Sequence, residues 1–210
     1  MRVTSQSFEH RAFIPDEFAF GVPDADAHVR FGDNRNPQLS WSDFPEATRS
    51  FVITCIDEDA PAQADDVNKD DREVPKDLAR AEFVHWLLAN MPAQITELWA
   101  GSFGARVMPG GLSNPQGPTG SVQGQNDYTS WFADDPSMRG TYCGYDGPCP
   151  PWNDARVHQY HFCVYALDVE RLDLPSGFGL GELRRAMEGH VLDVGQITGL
   201  YTLNPRLRPQ

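Results

Sequence analysis

The sequence predicts a mainly β fold: an antiparallel two-sheet β-sandwich with Greek-key character and a few peripheral helices, one near the C-terminus. Three observations carry this expectation. Several short runs rich in β-branched and aromatic residues are each bounded by turn-forming residues. Proline and glycine recur between them throughout the chain. Only one late segment repeats its apolar residues at the helical spacing.

Taken in order, residues 1–35 read as an entry to the fold, with short β-like pieces at 12–15 and 18–21 broken by proline and glycine. Asn36-Pro37-Gln38-Leu39-Ser40-Trp41 is a turn followed by a brief extended segment. The first strong strand spans 49–57. Phe51, Ile53, Cys55 and Asp57 share one face and Val52, Thr54 and Ile56 the other, so both faces are largely apolar and the strand should be covered on both sides. Residues 62–80 are polar and read as a solvated insertion. A second strand is expected over 82–91 and a helical turn over 96–99. Residues 100–140 form a long loop with little periodicity, a feature often associated with function. His158–Leu167 reads as a strand. A turn follows at 174–177, then a helix over 179–192 with Leu180, Leu183, Met187 and Val191 on its apolar stripe. A final strand is expected over 196–203.

With 210 residues and 40 % hydrophobic content, one domain covering 1–210 is expected, large enough for a sizeable core. A net charge of −13 makes nucleic acid and anionic membrane surfaces poor partners. The longest apolar runs fall short of a membrane span, and the first residues lack the apolar core of a signal peptide, so a cytoplasmic location is the default expectation. Cys55 and Cys163 sit in apolar strand patterns and read as buried thiols. Cys143 and Cys149 are not spaced as C-x-x-C, and no second pair completes a zinc site. No metal or other cofactor is expected.

The stretch from Thr141 to Leu167 organises the chain. Gly144 to Pro151 is a loop in which Gly147 leaves its backbone uncovered and Pro148, Pro150 and Pro151 fix φ. It delivers His158 to the start of a strand. Asp57, Asp59, His85 and His158 are polar groups placed where apolar strands end or are interrupted. Each has an ordinary structural explanation, as a turn carboxylate or a hydrogen-bonded core histidine.

Four segments, in order, give the chain a family likeness: Asn36 to Trp41 with Phe44-Pro45-Glu46-Ala47-Thr48-Arg49-Ser50; Asp57-Glu58-Asp59-Ala60-Pro61 with His85-Trp86; Gly144-Tyr145-Asp146-Gly147-Pro148-Cys149-Pro150-Pro151 with His158-Gln159-Tyr160; and Met187 to Leu192 with Gly199-Leu200-Tyr201. Through them the sequence resembles the phosphatidylethanolamine-binding protein family, specifically its bacterial, Raf-kinase-inhibitor-like branch. The resemblance implies a two-sheet sandwich with a small pocket for a phosphate or phosphorylated head group. By position, Asp57, Asp59, His85, Gly147, Pro150, Pro151, His158 and Tyr160 would line or shape it. A carboxylate beside a histidine favours an imidazolium that can meet an anion, glycine-loop N–H groups can donate to phosphate oxygens, and Tyr160 can add a hydroxyl. Trp86 and His161 alternate away and are assigned to other faces.

Three departures from the family pattern stand out. Glu58 replaces a proline and adds a negative charge near the anion site. The connection Trp152 to Val157 is long. The insertions at 62–80 and 100–140 could lid the pocket or build an interface, including that of a homodimer. The expected function is non-enzymatic binding of a small anionic ligand, with inhibition of a partner kinase or protease implied by the resemblance alone. The rival is a small hydrolase with His85 or His158 as general base and Asp57 orienting it, although no G-x-S-x-G elbow is present.

Overall fold

The computed structural model describes residues 1–175 and 177–209. In chain order its regular elements are β1 (Arg2–Thr4), β2 (Gly21–Asp24), β3 (His28–Phe31), β4 (Leu39–Ser42), β5 (Ser50–Pro61), β6 (Arg80–Pro92), β7 (Glu97–Leu98), β8 (Val122–Gln123), α1 (Tyr128–Trp131), β9 (His158–Leu167), α2 (Leu180–Met187) and β10 (Val191–Tyr201). A five-stranded sheet in the order β10-β9-β5-β6-β8 faces a three-stranded sheet, β1-β4-β7, and β2 and β3 form a separate hairpin. Every ladder between these strands is antiparallel. The chain is therefore the mainly β sandwich that its turn-punctuated apolar runs predict.

β5 is the central strand, and its two apolar faces are both used. Phe51, Ile53 and Cys55 join Leu39, Trp41 and Trp86 in the core between the sheets. Val52 turns the other way and packs with Leu87, Leu183 and Met187 beneath α2. Burial of both faces removes enough apolar area from water to fix the strand in the middle of the sheet. Its pairing with β6 is irregular at Cys55/Ile56 and again at Asp57/Ala60. Such irregularities break the simple alternation and re-aim side chains at the end of a sheet. Here they fall where Asp57 leaves the ladder.

Several elements differ from the sequence expectation. The segment 96–99 holds β7 rather than a helical turn, because Leu98 and Glu97 pair with Leu39 and Ser40 of a distant strand. The late helix stops at Met187, and Gly189 takes φ +80°, which reverses the chain. Val191 consequently opens β10 opposite Leu167 and is 43 % exposed instead of continuing the apolar stripe. The loop 100–140 contains β8 and α1, and the entry segment contains the β2–β3 hairpin. The insertion after β5 is anchored rather than freely solvated. The Asn153 amide donates to the carbonyls of Asp66 (2.8 Å), Lys69 (3.2 Å) and Arg72 (2.9 Å), and Val74 is fully buried. The expected turn at 174–177 includes Ser176, which lies outside the described residues. Among the described residues, no helix is long and apolar enough to cross a membrane.

Candidate functional site

A cavity of about 580 Å³ opens at the end of the large sheet where β5 leaves, between the start of β9 on one side and β6 on the other. Its polar end is made by Asp57, His85, His158 and Tyr160, with Pro150 and Pro151 beside them. β5 ends at this point, β9 starts at it, and loop 144–151 closes over it. That loop is docked by the N–H groups of Phe20 and Gly21, which donate to the Pro148 carbonyl at 3.0 and 3.1 Å. Strand alternation supplies the rest, since His158 and Tyr160 are two residues apart on β9 and share a face.

His158 is the centre of a buried chain of charges. Its Nδ1–H donates to Asp57 Oδ2 at 2.6 Å and its Nε2–H to Asp154 Oδ2 at 3.0 Å. Arg80 closes the chain with two bonds to Asp154, at 2.5 and 3.1 Å. The side chains of Asp57, Asp154, His158 and Arg80 are at most 7 % exposed. Burial alone would lower the His158 pKa, but the Asp57 and Asp154 carboxylates overcome it and raise it to about 9. Burial likewise disfavours the Asp154 charge, yet the bonds from His158 and Arg80 hold that carboxyl below its ordinary range. The sequence Arg80⁺, Asp154⁻, His158⁺, Asp57⁻ alternates in sign and sums to zero. His158 is therefore a cation with both N–H groups already committed, and it has no donor left for a ligand.

His85 is arranged differently. It is 3 % exposed, and its ring meets those of Phe83, Tyr128 and Tyr160 at centroid distances of 5.0, 5.6 and 5.1 Å. Burial lowers its pKa, only partly offset by Asp57, so the ring is neutral near pH 7. Nδ1–H donates to the Asp146 carbonyl at 2.8 Å, which leaves Nε2 as a lone-pair acceptor. Beside it, the Tyr160 hydroxyl is buried without a hydrogen-bond partner among the described residues. Burial, reinforced by Asp57, keeps that phenol protonated and hence a donor. Behind His85 the Asp146 carboxyl accepts from Asn34 (2.7 Å) and Asn126 (2.8 Å), and burial raises its pKa to about 7.

Six of the sequence-derived site residues meet at the cavity: Asp57, His85, Pro150, Pro151, His158 and Tyr160. Asp59 and Gly147 lie behind its wall. Asp59 pairs with Arg156 at 2.8 Å and accepts the Gln159 N–H at 3.0 Å. The Gly147 N–H is taken by Asn34 Oδ1 at 2.8 Å, and a Cβ there would lie 2.1 Å from the Phe18 carbonyl oxygen. Gly147 thus permits close packing of the loop and offers no N–H to the cavity. Glu58 also points away: its side chain is 65 % exposed and lies 4.0 Å from His161. The Cys149 thiol lines the cavity, and burial pushes its pKa up to about 12. All four cysteines are free thiols.

Arg80, Asp154, Asp146, Tyr128 and the aromatic wall did not emerge from the sequence. The i, i+4 spacing of Asp154 and His158 was a weak signal, and an arginine at the start of β6 was none.

The fold accords with what comparison finds. The family model described as phosphatidylethanolamine-binding protein matches residues 4–202. The UPF0098 protein of Methanothermobacter thermautotrophicus is 32 % identical over 201 residues, 96 % of this chain and 98 % of the relative. The UPF0098 protein YbhB of Escherichia coli is 30 % identical over 173 residues, 81 % of this chain and 84 % of the relative. The crystal structure of Escherichia coli YbcL, described as a new member of the mammalian PEBP family, superposes with a TM-score of 0.68 at 27 % identity, covering 96 % of this chain and 97 % of that one. The chain belongs to the phosphatidylethanolamine-binding protein family.

Proposed function

We propose that this is a binding protein whose cavity seats the phosphate-type anion of a small ligand against His85 and Tyr160, in preference to an enzyme. The observation that carries this reading is that His85, whose Nε2 is left as an acceptor, and Tyr160, whose hydroxyl is without a partner among the described residues, line the polar end of one cavity. An unpaired buried hydroxyl costs stability until something accepts its proton. A phosphate oxygen accepts from Tyr160, and a protonated phosphate oxygen donates to His85 Nε2. The imidazolium expected to face the anion is not His158, whose N–H groups are spent on carboxylates. The proton shared with the ligand sits at His85 and arrives with the phosphate or from solvent.

The test is calorimetric titration with inorganic phosphate and phosphoethanolamine at pH 6.0 and 8.0. Binding should weaken as pH rises, because neither a lowered-pKa His85 nor the phosphate keeps the shared proton. His85→Ala and His85→Gln, with folding confirmed by circular dichroism, should both lose at least about tenfold in affinity, the equivalent of about 1.4 kcal/mol. No binding by the wild type at either pH, or undiminished binding by both variants, overturns the reading. Modulation of a partner kinase or protease, if it follows ligand state, would act through the cavity rim.

A neutral histidine with an anchored Nδ1–H is also the geometry of a general base. His85 is the residue that a hydrolase reading would use, since both His158 nitrogens are occupied. Turnover of p-nitrophenyl phosphate or acetate by the wild type but not by His85→Gln would favour that reading.

A further inference from the structure

The polar end accounts for little of the cavity. At about 580 Å³ it falls within the range of sites that enclose drug-sized ligands, roughly 300–1,000 Å³. A phosphate or phosphoethanolamine fills a fraction of that space. Much of the remainder is aromatic, with Phe20, Phe83, Tyr128, Phe132, Phe31 and Trp131 on the lining beside the smaller aliphatic Val29, Pro61, Ala64 and Val67. Phe20 and Tyr128 stack at 4.3 Å and 14°, and Tyr128 and Phe132 at 5.6 Å and 15°. Phe20, Tyr128 and Phe132 are thus nearly parallel, while Phe83 meets Tyr128 edge-on at 76° and Phe31 meets Phe20 at 81°.

Two rings on this wall are left in water. Phe31 is 53 % exposed and Trp131 is 48 % exposed, although both border a concave site. Large aromatic surface exposed around a cavity is surface that an occupant would cover. Arg30 lies next to Phe31 on β3 and lines the same cavity. Among the described residues its guanidinium makes no salt bridge within 4.0 Å, although the Asp24 carboxylate is near enough to feel its charge, and its side-chain hydrogen bond is a 3.4 Å contact to the Phe31 carbonyl.

We propose that the preferred ligand carries its anionic group on a planar aromatic body, an aryl phosphate in chemical class, with the ring system laid against Phe20, Tyr128, Phe132 and Trp131. This rests on the reading of the polar end as the anion seat. An acyl chain would gain from burial alone. A flat π-system gains in addition from offset stacking and edge contacts with rings that are already aligned. Arg30 adds a cation that can lie over an aromatic face or meet a second anionic substituent at the opening.

The experiment compares four probes by calorimetry at pH 6.0: inorganic phosphate, 1-naphthyl phosphate, octyl phosphate and 1-naphthol. Naphthyl phosphate should bind at least about tenfold more tightly than inorganic phosphate and several-fold more tightly than octyl phosphate. Trp131→Ala, a change at a half-exposed position, should weaken naphthyl phosphate more than about fivefold. Phosphate binding with no gain for naphthyl phosphate overturns this inference and leaves the anion seat standing. Octyl phosphate binding as tightly as naphthyl phosphate overturns it in favour of an acyl ligand. Unchanged naphthyl phosphate affinity in Trp131→Ala also overturns it. Naphthol binding without binding of any phosphate overturns the anion seat itself while keeping the aromatic wall.

Discussion

Raising the pH from 6.5 to 9.5 should strip a stabilising proton from His158. The folded protein holds that proton with a pKa of about 9, against 6.5 for an ordinary histidine, because Asp57 and Asp154 bracket the buried ring. Below pH 6.5 the folded and unfolded chains both bind the proton, and the stabilisation is complete. Between pH 6.5 and 9 the unfolded chain releases the proton while the folded chain keeps it. Each pH unit then removes about 1.4 kcal/mol from the stability. Over the whole window the loss is roughly 3 kcal/mol, a large share of the few kcal/mol by which a domain is stable. Above about pH 9 the contribution has gone. The assay is urea unfolding of wild type and His158→Gln at intervals across this range. Subtracting the variant removes titrations common to both proteins. The difference in unfolding free energy should shrink as pH rises. A difference that stays constant between pH 6.5 and 9, or grows, would refute the alternating-charge account of the Arg80–Asp154–His158–Asp57 chain.

Other consequences follow from single contacts. Gly147→Ala places a Cβ 2.1 Å from the Phe18 carbonyl oxygen and 3.2 Å from Ala19 Cα, so the loop must shift; the cost should be about 1–3 kcal/mol or more, and a melting temperature within about 2 °C of wild type would contradict it. Asn153→Ala removes the amide that gathers the Asp66, Lys69 and Arg72 carbonyls. Limited trypsin digestion should then cut faster after Lys69 or Arg72, with a stability loss of about 1–3 kcal/mol, and an unchanged cleavage rate would refute the anchoring role. Arg184→Ala breaks an ion pair with Glu82 in which both side chains are 41 % exposed or more. Solvent screening limits its effect to less than about 1 kcal/mol in urea unfolding, and a larger loss would show that the pair does more than hold two surface side chains.

What the sequence made legible was what depends on local pattern. β9 is an alternating run of apolar and aromatic residues, and its predicted bounds and its observed bounds coincide at His158–Leu167. β5 was readable because two apolar faces require cover on both sides. Asp57, Asp59, His85 and His158 were readable because polar groups interrupt or end those runs, whereas Tyr160 came only from the family resemblance. The remainder depends on partners that local pattern does not contain. β7 exists only because Leu39 and Ser40 are there to pair with it. Asp154 matters because Arg80 reaches it from a distant strand. The protonation states of the two histidines also lie beyond local pattern. His158 is charged because two carboxylates flank it, and His85 is neutral because it is buried among the rings of Phe83, Tyr128 and Tyr160. A carboxylate beside a histidine was legible in the sequence, but which of the two histidines it would charge was not, because that depends on partners outside the local pattern.

The claim at the centre of this account is that His85, and not His158, meets the anion. It is tested most directly by ¹⁵N spectroscopy of the imidazole nitrogens during titration with phosphate at pH 6.0. Phosphate should move the His85 Nε2 resonance from an unprotonated toward a protonated position, while both His158 nitrogens stay protonated and unmoved. Phosphate binding that leaves His85 Nε2 unchanged, or that shifts the His158 nitrogens instead, would contradict it.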